Sequence, residues 1–350
     1  MAVPSLLLAA EAGLALFDVG EPTDRASSSI DRLHRYSEVY GWEPRPGQYV
    51  EGGRTITIND AGYRGPRLEA QSPERRRRVL VIGDSIAFGL YVGDQETYAA
   101  LLAMRAGDLE VANLAVQGYG PNQSLLRLER VGLPLDPDVV VLGLCLGNDL
   151  ADVVLDSFLY DAEHPTPRFR VEGERLVLDD EHLRLSLRER AGLWLHENSR
   201  LARMLAPQRS GETASEPWTN RRRAALSDRE AALDLTTRLV VEMRDAVEAR
   251  GARFLVLLHP ERVTSARSAR AWEAGLTARL NEAGVSSLSL AAAYAERGLE
   301  YDELAIDSIG HLSARGHAVT AAILAEALHS QAPPGRRRAA LSDTASLPLR

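Results

Sequence analysis

Five short strand-like runs constrain this chain most: residues 79–82, 109–115, 138–146, 253–258 and 285–290, of which the first, third and fourth are mainly apolar. Runs of this length with little polar alternation fit strands buried on both faces. The stretches between them carry helical patterning, at 95–105, 122–131, 227–250, 266–283 and 313–329. Ser227 and Glu230 have capping-box spacing, Gly251 fits just past a helix end, and Ser313 is placed to cap the last helix. Strand alternating with helix predicts βαβ units, and so an α/β protein with a central parallel sheet and helices on both faces.

The 350 residues, 45% hydrophobic and 26% charged, are enough for one large domain or two modest ones. A net charge of −8 argues against nucleic acid as partner, because phosphate binding needs a basic face. The lone cysteine, Cys145, cannot form an internal disulfide and reads as an inert core thiol. No Cys/His spacing resembles a zinc site.

The expected organisation is an N-terminal helix and extended arm (1–74), a main domain (75–330) and a disordered tail (331–350). Residues 3–17 are mostly apolar, but the stretch is short for a bilayer and Glu11 would be costly in lipid. No basic segment precedes it, so a secretory signal is not expected. It reads either as a helix packed on the domain or as an interfacial anchor giving weak membrane association. The location is accordingly cytoplasmic or membrane-associated. Within the arm, 54–58 has the pattern of an edge strand, and Arg75–Arg78 reads as a solvated flank. An insertion at about 151–220 interrupts the alternation. It contains a hairpin (169–178), then one or two helices (181–205) with Trp194 and Leu195 on the apolar side.

Four polar pieces fall at strand ends or in loops. Gly83-Asp84-Ser85 follows the first run directly, where open α/β sheets place their ligands. Its glycine permits a tight turn, and Ser85 then stands near a helix N-terminus. Gly118 lies in Asn113–Gly120, just past the second run, and Asn148 follows the third in Gly147-Asn148-Asp149. The fourth piece is Asp307-Ser308-Ile309-Gly310-His311, before the last helix. A serine hydroxyl needs a base to become a nucleophile, histidine suits that task, and a carboxylate fixes the histidine's tautomer. Backbone N–H groups and an Asn amide can stabilise the oxyanion that forms. His317 is a rival base, and His259 either lines the pocket or closes its strand. His164, His182 and His196 are expected to face solvent.

This set, in this order, resembles the SGNH (GDSL-type) hydrolase family, whose name letters fall on Ser85, Gly118, Asn148 and His311. The resemblance covers roughly residues 78–328, apart from the insertion. It implies a flavodoxin-like three-layer α/β/α sandwich and ester hydrolysis through an acyl-enzyme, with no cofactor and no metal. The substrate would be an O-acyl ester, short-chain such as acetyl, on a carbohydrate, lipid or small molecule. An O-acyltransferase with the same triad, or a non-catalytic glycan-binding module, stays open. The implied roles are Ser85 as nucleophile, His311 as base, Asp307 as its orienter, and the oxyanion held by Ser85, Gly118 and Asn148. The family's aspartate usually stands three residues before the histidine. That position here is Ser308, so Asp307, four before, is assigned. Asp302 is the fallback, and a Ser–His dyad oriented by a backbone carbonyl is a further option. Asn59–Gly65 also resembles an arm segment that precedes the serine block in bacterial members.

Overall fold

All five runs become strands of one parallel sheet in the computed structural model. It describes residues 10–14, 16, 33–68, 76–162, 164–205, 217–262 and 265–329. The expected disordered tail lies outside the described residues, as do most of residues 3–17 and Arg75. The arm forms two antiparallel hairpins, β1 (His34–Ser37) with β2 (Gly41–Pro44) and β3 (Gly47–Glu51) with β4 (Arg54–Ile58). The central strands begin with β5 (Arg77–Gly83), β6 (Leu109–Asn113) and β7 (Val139–Cys145). A third hairpin, β8 (Arg168–Glu172) with β9 (Arg175–Asp179), intervenes before β10 (Arg253–His259) and β11 (Ser287–Ser289).

The sheet order is β11-β10-β7-β5-β6, with every neighbouring pair parallel. The first central strand therefore has the second on one side and the third on the other, which is flavodoxin-like winding. Successive side chains alternate between two cores. Val79, Val81, Val139, Val141 and Leu257 pack in one layer with Leu102 and Leu324. Leu80, Ile82, Val140, Leu142 and Val256 pack in the other with Leu125, Leu239 and Leu276. The helices used below are, in chain order, α1 (Ser85–Phe88), α2 (Tyr98–Arg105), α3 (Pro121–Arg127), α4 (Asp149–Asp152), α5 (Leu187–Asn198), α6 (Arg200–Leu205), α7 (Arg229–Glu248), α8 (Ala266–Glu282) and α9 (Ala314–His329). Helices α2 and α9 cover one face of the sheet, and α3, α7 and α8 the other, giving three α/β/α layers.

Several local expectations change. Helix α7 is capped by Asp228, whose carboxylate accepts the Ala231 N–H at 3.0 Å, and not by a Ser227–Glu230 box. The Ser227 N–H instead bonds Ala224 O, closing the preceding turn. Arg78 is buried, not solvated: its guanidinium donates to Glu110 and to Leu135 O, both at 2.9 Å. Strand β4 pairs with β3, and Arg64 joins that hairpin to the sheet edge by bridging Ile58 and Asn113. Trp194 and Leu195 point to solvent, 62% and 48% exposed. Val153, Phe158 and the β8–β9 hairpin residues Phe169, Leu176 and Leu178 pack the insertion against the core clusters. Of the N-terminal stretch, Ala10–Leu14 is helical, and the Glu11 carboxylate accepts the N–H groups of Arg200 (2.9 Å) and Leu201 (3.1 Å) at the start of α6. No described helix is long and apolar enough to cross a membrane.

Candidate active site

The site is built where β5 ends. Gly83 sits at φ +139°, and a Cβ there would stand 2.3 Å from Gly143 O, so only glycine lets β5 and β7 lie this close at their exit. Asp84 follows as the cap of α1, its Oδ1 accepting the N–H groups of Ile86 (2.9 Å) and Ala87 (3.4 Å). Ser85 is thereby fixed on the first turn of α1. Its Oγ lies 2.8 Å from His311 Nε2.

The histidine arrives from the loop before α9. His311 Nδ1 is 2.6 Å from Asp307 Oδ2, while Asp307 Oδ1 accepts the N–H groups of Ile309, Gly310 and His311 at 3.1, 2.8 and 3.0 Å. The turn closes over Gly310 at φ +112° and absorbs the extra residue between carboxylate and imidazole. Burial by itself would raise the Asp307 pKa. The His311 hydrogen bond, its charge and the backbone donors outweigh burial and hold the group down to about 2. Asp302 faces elsewhere, pairing with Arg262 at 2.9 Å with its side chain 75% exposed.

Gly118 and Asn148 reach the same rim. The Gly118 turn is tied to β5 by Val116 N–H to Gly83 O at 3.0 Å, and to the arm by Trp42 Nε1 to Gln117 O at 3.0 Å. A Cβ at Gly118 would press on Phe158 at 3.0 Å and Trp42 at 3.1 Å, and its φ is +79°. Among the described residues, neither the Ser85 N–H nor the Gly118 N–H has a hydrogen-bond partner. The Asn148 amide differs. Its nitrogen donates to Asp149 Oδ1 at 3.0 Å and to Asp152 Oδ2 at 2.9 Å. Both N–H bonds of this amide are thus engaged by carboxylates.

Those carboxylates belong to a buried acidic group under the rim. Asp149 also accepts the Cys145 N–H at 2.7 Å. Burial pushes Asp149 well up and Asp152 up to about 7, and it raises Asp84 as well. Cys145 is fully buried beside them, and burial raises its pKa too. His259 is likewise fully buried, and burial lowers it to about 3, so it lines no open pocket. His317 accepts the Tyr98 N–H at Nδ1 (3.2 Å) and is lowered to about 3, chiefly by burial; it packs inside the layer and does not approach Ser85 with a hydrogen bond. His182 bonds Thr166 O at 2.8 Å, and His164 lies against the Trp42 ring instead of facing solvent. The side chain of His196 lies outside the described ones. Among the described residues, no group of three or more His, Cys, Asp or Glu could hold a metal ion.

Two residues of the site were not read from sequence. The Tyr91 ring stands perpendicular to the His311 imidazole with centroids 5.3 Å apart. Arg64 is buried and donates to the carbonyls of Phe88 (2.9 Å), Gly89 (2.8 Å) and Val92 (2.7 Å), and to Asp94 at 3.1 Å. That accounts for the arm segment 59–65: its arginine anchors the loop leaving α1. The sequence signal was the segment itself, which named no role.

No family model and no curated protein matches the chain. Among solved structures it is similar to a putative lipolytic protein of the G-D-S-L family from Desulfitobacterium hafniense, at 12% identity and TM-score 0.42, covering 71% of this chain and 98% of that one. It is also similar to a G-D-S-L lipolytic family member from Veillonella parvula, at 9% identity and TM-score 0.43, covering 73% and 100%. A third is a catalytic mutant of an acetylxylan esterase from Geobacillus stearothermophilus, at 13% identity and TM-score 0.39, covering 71% and 93%.

Proposed function

We propose that this chain is a serine esterase of the SGNH type, acting on short O-acyl esters. The observation that carries the reading is the unbroken hydrogen-bonded series from Ser85 Oγ through the His311 ring to Asp307. Ser85 Oγ attacks the ester carbonyl as its proton passes to His311 Nε2. The carbonyl oxygen becomes an oxyanion facing the N–H groups of Ser85 and Gly118. Asn148 adds a third donor when it exchanges one of its two carboxylate partners for the oxyanion. The C–O bond then breaks, and His311 gives the proton to the departing alkoxide. Water, deprotonated by His311, releases the acid and restores Ser85. Asp307 stays ionised throughout and steadies the imidazolium.

A short acyl group is supported by Phe158 and Trp42, which close the space behind Gly118. The test is hydrolysis of 4-nitrophenyl esters from acetyl to octanoyl by wild type, Ser85→Ala and Asp307→Asn. Ser85→Ala should lose about a thousandfold or more in kcat, and Asp307→Asn about a hundredfold or more. The acetyl ester should be the best substrate. Wild-type turnover by Ser85→Ala would remove the mechanism.

A further inference from the structure

Beside the proposed catalytic histidine, one side chain is held in a costly conformation while staying half exposed. Tyr91 adopts φ +70°, the left-handed region that non-glycine residues avoid. Its neighbours Leu90 and Val92 are buried, yet Tyr91 is 46% exposed. The conformation is locked from both flanks, because Arg64 grips the carbonyls of Gly89 and Val92. Asp94 ties the same loop to the β3–β4 hairpin by accepting the Thr57 N–H at 3.1 Å. Strain fixed in this manner clusters at ligand sites.

The exposed ring borders a cavity of about 400 Å³ between this loop and the hairpin. Its walls include Val50, Glu51, Arg54 and Ile56. Apolar surface with a few convergent polar groups is the usual make-up of a small-molecule site. Its placement decides which half of an ester it meets. His311 must protonate the departing alkoxide, so the alcohol lies on the imidazole side of Ser85 and the acyl group on the Gly118 side. The ring against the imidazole is Tyr91.

We propose that Tyr91 and the β3–β4 hairpin form the subsite for the alcohol half of the ester, and that this half is a sugar ring. The proposal rests on the esterase reading above. A sugar offers an apolar C–H face to the phenol ring and hydroxyls to the carboxylate and guanidinium of Glu51 and Arg54. An acyl chain offers neither side chain a hydrogen-bonding group. Burial, and then the nearby carboxylates of Asp307 and Glu51, raise the Tyr91 pKa, which keeps the phenol neutral and able to donate a hydrogen bond.

The experiment separates the subsite from turnover. In a Ser85→Ala background, binding of methyl β-xyloside, methyl β-glucoside and methyl β-N-acetylglucosaminide is measured by NMR titration, with octanoate as the acyl probe. Tyr91→Gly removes the ring while favouring the observed backbone, and Tyr91→Trp keeps a platform. At least one sugar should bind. Tyr91→Gly should weaken it about tenfold, and Tyr91→Trp should largely retain it. In the Ser85 enzyme, Tyr91→Gly should lower kcat/KM for the monoacetylated sugar relative to ethyl acetate about tenfold, through KM. No sugar binding, sugar binding indifferent to both Tyr91 variants, or octanoate taking the Tyr91 site would each overturn the proposal. Sugar binding at Tyr91 in a protein that still hydrolyses esters without Ser85 would instead overturn only the catalytic reading.

Discussion

The carboxyl rim of the sheet and the insertion after α4 obey opposite rules. At the rim, two charged side chains tie the loops together through hydrogen bonds: Arg64 meets three carbonyls and a carboxylate, and Asp307 meets four donors. Insertion helix α5 instead carries Leu187, Trp194 and Leu195 on its exposed surface. A buried polar group is costly unless its partners are in place, so each one fixes the geometry around it. An exposed apolar side chain demands no particular neighbour. Position is therefore specified tightly around Ser85 and loosely along α5.

Three substitutions would break or sharpen this contrast. The largest effect is expected for Arg64→Met. It removes a buried charged donor from three carbonyls and the ion-pair partner of Asp94, and should cost about 3–5 kcal/mol in chemical denaturation. A loss below about 1 kcal/mol would mean that the rim is no more tightly specified than the insertion. Next comes Asp152→Asn. The folded-state pKa of Asp152 is raised to about 7 from 3.8, so its contribution to stability is full below pH 4 and is lost as pH rises to 7. Wild-type melting temperature should fall from pH 5 to 8 in part for this reason, and Asp152→Asn should flatten that slope. An unchanged slope would show the carboxyl to be unperturbed. The smallest effect belongs to Trp194→Ala, expected within about 0.5 kcal/mol of wild type by denaturant titration. A loss of several kcal/mol would place the indole in a packed interface.

The same contrast explains what could be read from the chain beforehand. The central strands β5, β7 and β10 were legible because burial on both faces leaves an apolar run, and the edge strands β6 and β11 from their place in the strand–helix alternation. Ser85 was legible as a chemical type at a strand exit, and His311 and Asp307 as a pair in the loop before the last helix; hydrogen bonds join the three residues. Tyr91 was not legible: left-handed backbone is signalled by Gly or Asn, and here a tyrosine is forced into it by contacts from Arg64. Arg64 and Arg78 were hidden for a related reason, since a charge in a loop or before a strand reads as solvated until its partners are known. Trp194 and Leu195 went the other way. Amphipathic spacing predicted a helix correctly, but it does not say whether anything lies against the apolar stripe.

Asp307 has one further consequence. One of its oxygens organises three successive amides of the turn, and the other steers the imidazole that the turn carries. The same carboxylate is scaffold and electrostatic partner, so the loop and its histidine travel as one self-contained cassette. Lengthening the chain around that cassette, upstream of Asp307 or within the outlying insertion, leaves the imidazole's own setting untouched.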